Sequence, residues 1–213
     1  HPEWYHQIDG KRHDGPGWQL CFTNRESAKE FAKNMQVEIA NYLRRGFCIE
    51  RMRLFVSPND ARAWCECPEC QKLADSDGSA TSMVTNYANL VAKEIRKTYP
   101  NARIVFYAYD NYARPGDHVK PGPGVCAELT FWTANTAVGA NHAQPMFSDA
   151  NDKFRRYFKQ WSELCDAVSV RTYYGHYNWF TPMPFLTQMT HDIPILSSFP
   201  KFYGMYSESH LHW

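Results

Sequence analysis

The stretch that decides the fold is residues 125–132, Val-Cys-Ala-Glu-Leu-Thr-Phe-Trp. Apolar side chains at every second position, from Val125 to Phe131, predict a β-strand with one face packed against helices. Glu128 lies on the opposite face and is expected to point into the interior of a barrel. A helical pattern follows around residues 154–164, so this part of the chain reads as strand, loop, helix.

The same unit recurs on both sides of this stretch. Further β-type runs are found at residues 19–23, 53–57, 103–109, 167–174 and 201–206, and helical patterns at 25–45, 83–95 and, shorter, 185–189. Such alternation predicts an α/β fold with a largely parallel sheet. A (β/α)8 barrel needs about 250 residues. Six strands in 213 residues therefore predict one TIM-barrel-like domain over residues 1–213 that is incomplete, a fragment of a longer protein.

Composition excludes several classes of function. The formal net charge is +1 and no basic stripe is present, which argues against nucleic acid as a partner. No apolar run approaches the roughly 18 residues of a membrane span. Aromatic residues make up 15% of the chain, and such rings stack well on the flat faces of sugars.

Glu128 and Arg171 are the first candidate pair for chemistry. Working residues of barrel folds lie at the carboxyl ends of strands, and strand alternation turns both side chains inward as neighbours. One interpretation is a buried structural ion pair. The other is a site carboxylate that Arg171 keeps ionised, which suits a base or an electrostatic stabiliser.

A second carboxylate is needed as the acid of a glycosidase. Glu208 is the first choice, because rings around the last strand end would raise its pKa, and a solvated loop glutamate is the alternative. Asp60 and Asp110 are held in reserve, since each can instead cap a turn after its strand.

Polar and aromatic residues at these strand ends are the expected substrate contacts. They are Asn59, Tyr109, Trp132, Arg171, Tyr173, Tyr177, Trp179 and His210.

Cys65, Cys67 and Cys70 form the sharpest local motif. Three thiolates from one tight loop can face one soft cation and need one further ligand. Cys21 or a histidine would complete a structural zinc site. The alternative is reduced or partly disulfide-bonded thiols that stiffen the loop, because the second CxxC half of a zinc ribbon is missing.

Four strings resemble a known bacterial family. They are His1–Tyr5 (HPEWY), Val56–Asp60 (VSPND), Trp64–Cys70 (WCECPEC) and Tyr206–Ser209 (YSES). Together they resemble the domain of unknown function 4838 over nearly the whole chain. The resemblance implies a glycoside-hydrolase-type barrel distantly similar to α-glucuronidases and hexosaminidases. It also implies a bacterial protein of polysaccharide degradation that is secreted or periplasmic.

The sequence thus leads to a functional hypothesis with alternatives. We expect a glycoside hydrolase-like protein that acts on a polysaccharide or oligosaccharide by carboxylate acid/base catalysis and requires no cofactor for it. The alternatives are a non-catalytic carbohydrate-binding barrel and a zinc-stabilised inactive fragment. An incomplete barrel would also expose strand edges, through which the chain could self-associate.

Overall fold

A computed structural model describes residues 1–15, 17–60, 63–132, 139–173 and 185–207. The helices are α1 (Arg25–Arg44), α2 (Pro68–Gln71), α3 (Thr81–Ile95), α4 (Asp152–Leu164) and α5 (Phe185–Ser197). The strands are β1 (Gln7–Ile8), β2 (Lys11–Arg12), β3 (Leu54–Phe55), β4 (Ile104–Ala108), β5 (Val125–Thr130), β6 (Val168–Thr172) and β7 (Phe202–Ser207).

The main sheet has five strands in the order β3-β4-β5-β6-β7. The pairs β3/β4, β5/β6 and β6/β7 are parallel, and β1 and β2 form a separate antiparallel hairpin. Neighbouring strands in the main sheet follow one another in the sequence, as strands joined by right-handed crossovers do. The α/β prediction is confirmed at this level, as a mixed α/β chain with a parallel sheet.

Two predicted elements differ from the structure. Residues 19–23 form no strand, since Leu20 makes only an isolated bridge to Tyr5. Three apolar residues, Leu20 to Phe22, between polar ones gave a β-like pattern too short to support a ladder. The last helix, α5, is longer than expected and runs through Pro194, although a proline inside a helix loses one backbone hydrogen bond and its ring crowds the preceding turn.

The chain separates into two compact units. Unit 1 comprises residues 1–106 and 116–126, and unit 2 comprises residues 107–115 and 127–213. The expectation of one domain over residues 1–213 stays a prediction.

Unit 1 is organised around α1 and α3. Asn24 caps α1 by accepting a hydrogen bond from the Ser27 backbone N–H at 2.8 Å, as asparagine often does at this position. Ile39 of α1 and Tyr87 of α3 are buried, and the Ser27 hydroxyl lies 3.3 Å from the Tyr87 hydroxyl. Helix packing thus forms the core of this unit.

Unit 2 has an aromatic core beside α4. Phe154, Phe158 and Trp161 are fully buried on one face of this helix, and Phe131 after β5 packs edge-on against Phe154 with ring centroids 5.0 Å apart. Trp161 Nε1 donates to the backbone carbonyl of Ala113 at 2.7 Å. Much of the high aromatic content of the chain therefore fills a core.

Candidate functional site

Four cysteines form a buried cluster in unit 1. The Sγ atoms of Cys21, Cys65, Cys67 and Cys70 lie within 4.8 Å of one another. Cys21 Sγ is 3.6 Å from Cys67 Sγ and 3.8 Å from Cys70 Sγ. A zinc ion with Zn–S bonds of about 2.3 Å would separate tetrahedral sulfurs by about 3.8 Å. All four cysteines are free thiols, and the cluster could hold a metal ion.

Distant segments build this cluster. Cys67 precedes α2, Pro68 occupies its first position, and Cys70 lies within its single turn. Cys21 comes from the N-terminal segment, where its backbone N–H donates to the Trp4 carbonyl at 2.8 Å. The structure therefore brings Cys21 to the other three cysteines, and no histidine among the described residues joins them.

The pKa values of two thiols in the cluster shift in opposite directions. The pKa of Cys21 is lowered, because the thiols of Cys65 and Cys70 hydrogen-bond to its thiolate. The pKa of Cys70 is raised, because these same interactions and burial favour its thiol form. The contacts within the cluster thus favour the thiolate of Cys21 and the thiol of Cys70.

Arg12 of β2 is a cationic side chain that contacts the cluster. Its Nη1 lies 3.7 Å from Cys65 Sγ and donates to the Tyr5 carbonyl at 2.6 Å. Burial alone would lower the pKa of Arg12, but the interaction with Cys21 and the neighbouring sulfurs outweighs burial and raises it. Arg12 therefore stays positively charged beside the sulfurs.

Glu128 and Arg171 form the second buried cluster, in unit 2. Glu128 is 0% exposed and Arg171 17% exposed, and Arg171 Nε donates to Glu128 Oε1 at 3.1 Å. Ser169 Oγ donates to Glu128 Oε2 at 2.9 Å. Arg171 Nη2 donates to the Tyr107 hydroxyl at 2.8 Å. The predicted contact between Glu128 and Arg171 is confirmed, whereas the role of the pair stays a prediction.

Tyr107, Glu128 and Arg171 lie in the carboxyl-terminal halves of β4, β5 and β6, and Ser169 lies near the start of β6. Residues Glu128 and Thr130 pair in register with Ser169 and Arg171, which turns Glu128 and Arg171 to the same face. Burial would lower the pKa of Arg171, but Tyr107 and Glu128 together raise it. The result is a fixed, charged donor whose orientation is set by a buried carboxylate.

An aromatic pair lies just beyond the same strands. Trp132 follows β5 and Tyr173 follows β6, and their ring centroids are 4.4 Å apart. The imidazole of His142 is edge-on to Trp132 at 5.5 Å. Both Trp132 and Tyr173 are partly exposed, so the two predicted substrate contacts are brought together.

Asp110 occupies an unusual backbone conformation at the end of β4. Its φ is +45°, in the left-handed region that a non-glycine residue adopts at a cost. The side chain is half-buried. The ring of Tyr109, the residue before it, lies edge-on to Tyr112 at 6.4 Å. Asp110 is therefore a carboxylate of unit 2 at a strained strand end.

Asn59 and Asp60 lie in unit 1, after β3, and both are exposed. Asn59 is hydrogen-bonded to the N-terminal segment. Its backbone N–H donates to Gln19 Oε1 at 3.0 Å, and its Nδ2 donates to the Trp18 carbonyl at 2.7 Å. Gln19 and Asn59 also line a pocket of about 110 Å³ with Ser57 and Tyr87, which no sequence pattern indicated.

Several predicted residues lie outside the described part of the chain. They are Tyr177, Trp179, Glu208 and His210. Their proposed roles as acid and substrate contacts stay predictions.

Some contributors to the two clusters escaped sequence reasoning. Arg12 and Thr23, whose hydroxyl lies 3.4 Å from Cys70 Sγ, carry no local motif. Tyr203, whose hydroxyl lies 3.3 Å from Ser169 Oγ, sits on β7, where alternation alone does not single it out. Tyr107 is one of several tyrosines near a strand end, and no motif singles it out.

No helix in the described residues combines the length and apolarity of a membrane span.

Comparison with known proteins yields one relationship. Among curated proteins and solved structures, none matches the chain. The model of one family, described as a domain of unknown function (DUF4838), matches residues 1–212. Since this match covers nearly all of the 213 residues, the chain belongs to the DUF4838 family.

Proposed function

We propose that unit 2 carries the site of a glycoside hydrolase-like protein acting on a polysaccharide or oligosaccharide. The observation that carries this proposal is the Glu128–Arg171 pair on the sheet, with Trp132 and Tyr173 directly beyond it. A partly exposed aromatic pair suits the apolar face of a pyranose ring. The fixed donors of Arg171 suit its hydroxyl groups.

In this proposal the carboxylates have different roles. Glu128 has both oxygens hydrogen-bonded and no exposed surface, so it acts as a positioning residue that holds Arg171. The general acid must then be another carboxylate. Glu208 is our first choice, with Asp110 next because of its place and strained backbone at the end of β4.

The test measures hydrolysis of an oligosaccharide panel and of activated aryl glycosides. Glu208→Gln should lower turnover of oligosaccharides about 10²-fold or more, because their leaving groups need a proton, and aryl glycosides less. Glu128→Gln should lower turnover of both. If both variants keep parental activity and remain folded, these assignments are wrong and Asp60 and Asp110 are tested next.

A non-catalytic carbohydrate-binding protein is the second candidate, favoured because Glu128 itself is fully buried. Binding of the same oligosaccharides, followed by calorimetry, should weaken in Trp132→Ala and not in Tyr42→Ala, an exposed aromatic control on α1. Sugar binding without turnover would establish this candidate. Absence of both binding and turnover would contradict both.

We also infer that the four-cysteine cluster of unit 1 holds a structural zinc ion. Four buried sulfurs within 4.8 Å match the closed, thiolate-rich coordination of structural zinc sites. Elemental analysis should find one zinc per chain in the parent and in Cys48→Ser, an exposed cysteine outside the cluster, and none in Cys21→Ser. No metal in the parent, together with linked cysteines in a thiol titration, would overturn the inference.

The parallel sheet is, we propose, part of a (β/α)8 barrel of the α-glucuronidase type. Its support is the strand order of the sheet and the family resemblance. A secreted or periplasmic location rests on that resemblance alone. β3 and β7 are the outer strands of the described sheet, and self-association through them should give a dimer or larger species in light scattering; a clean monomer would contradict it.

A further inference from the structure

A zinc ion bound by four thiolates carries a net charge of −2, since each thiolate contributes one negative charge. The four cysteines are each no more than 4% exposed. Burying a net charge without compensation costs several kcal/mol. The centre in unit 1 therefore needs positive charge or hydrogen-bond donors next to its sulfurs.

The β1–β2 hairpin supplies both at Cys65. The backbone N–H of Gln7 donates to Cys65 Sγ at 3.3 Å. Arg12 Nη1 lies 3.7 Å from the same sulfur. Two donors from one hairpin, one of them a full positive charge, thus converge on a single ligand atom.

The hairpin is also fixed to the cysteine loop by its backbone. The Glu66 N–H donates to the Gln7 carbonyl at 2.8 Å, and the Asp9 N–H donates to Glu66 Oε2 at 2.9 Å. Arg12 in turn is oriented by its 2.6 Å hydrogen bond to the Tyr5 carbonyl. The guanidinium is therefore held in place beside the sulfur by contacts within the same small region.

We propose that the β1–β2 hairpin supports the metal centre by contacting its ligand Cys65. Arg12 is then a positioning residue that sets the affinity of the four-cysteine cluster for zinc. This inference rests on the proposed zinc site. The charge of Arg12 offsets part of the negative charge of the thiolate set, and its N–H group orients Cys65. Residues in such positions typically change metal affinity 10–100-fold when replaced.

The test compares three variants of the full chain by competition for zinc with a chromogenic chelator. Arg12→Met keeps much of the side-chain stem and removes the charge, and should weaken zinc binding 10–100-fold. Arg12→Lys keeps the charge and should retain most of the affinity. Lys11→Met is the matched control, since Lys11 is exposed on the same hairpin, and should bind as the parent does.

The absorption spectrum of the Co²⁺-substituted protein is a second measurement. It should not shift if Arg12 only stabilises the fold. The absorption bands of Co²⁺ should keep tetrahedral thiolate character in all variants, with a shift in the charge-transfer band for Arg12→Met.

If Arg12→Met binds zinc within twofold of Lys11→Met, the inference about Arg12 is overturned while the zinc site stands. If the parent itself binds no zinc, the proposed site fails instead. Should Arg12→Met not fold even with excess zinc, Arg12→Lys decides: parental affinity supports the charge role, and a loss as large as 100-fold contradicts it.

Discussion

The two buried polar clusters solve the same electrostatic problem in different ways. In unit 2, the carboxylate of Glu128 has a cationic partner of its own in Arg171. In unit 1, four cysteines face one another, and Arg12 contacts the sulfur of Cys65. In unit 2 a protein cation balances the buried negative charge. In unit 1 four thiolates would need a bound metal cation to balance theirs. The stability of unit 1 should therefore depend on metal, and that of unit 2 should not.

The largest expected effect is that of metal removal. Chelation by EDTA should lower the local stability of unit 1 by about 3 kcal/mol or more, because loss of a metal site is among the most destabilising changes known. Hydrogen exchange should show lost protection around Cys21 and Cys70 and unchanged protection in β6. Equal loss in both units, or none in either, would contradict the comparison.

Breaking the ion pair of unit 2 should have the next largest effect. Arg171→Met leaves the buried charge of Glu128 without its partner, and should lower the free energy of unfolding by about 3–5 kcal/mol. The double variant with Glu128→Gln should lose less than the two single variants combined. Urea denaturation measures all three.

Arg155→Met is the control for this prediction. Arg155 forms ion pairs with Asp149 and Asp152 that are largely exposed, so its loss should lower the free energy of unfolding far less than the loss of Arg171 does. Similar costs for Arg155→Met and Arg171→Met would mean that burial adds nothing to the pair in unit 2.

Ser169→Ala should have an intermediate effect. It removes the hydrogen bond to Glu128 Oε2, and a hydrogen bond to a charged group contributes about 1.5–3 kcal/mol. Ser162→Ala, an exposed hydroxyl bonded to a carbonyl in α4, should cost far less. Thermal unfolding of the two variants side by side distinguishes them, and equal melting temperatures would count against a charged Glu128.

The smallest effect concerns pH and His6 in unit 1. Burial lowers the pKa of His6, with the charges of His13, Arg12 and Glu66 nearby. Folded His6 is thus neutral, and its contribution to stability is present above about pH 6.5 and is lost as pH falls through the lowered pKa of the folded state.

Replacing His6 by phenylalanine keeps a ring against Trp18, whose centroid is 5.1 Å away, and removes the titration. The free energy of unfolding of the parent relative to His6→Phe should be constant above pH 7 and should fall as the pH drops through the lowered pKa of folded His6. His118→Gln, on an exposed loop residue, should follow the parent. A parallel pH profile for all three proteins would exclude His6 as the source.

Local patterns predicted most of the secondary structure. The helical repeat of Phe31, Ile39 and their neighbours located α1 to within one residue, because an amphipathic face and an asparagine cap act through short-range geometry. The strand predicted at residues 19–23 was wrong, because a strand forms only where a neighbouring strand pairs with it through successive hydrogen bonds. Strand alternation found the Glu128–Arg171 contact, because parallel neighbours in register turn the same face.

The sequence by itself determined the α/β class, the inward face of Glu128 and three of the four clustered cysteines, since each depends on spacing along a few residues. Only the tertiary structure decided that Cys21 completes the cluster, that Arg12 lies beside it, and that Tyr107 and Ser169 surround the ion pair. These contacts join residues more than 35 positions apart. Such proximity depends on how strands and helices pack, and no local preference encodes it.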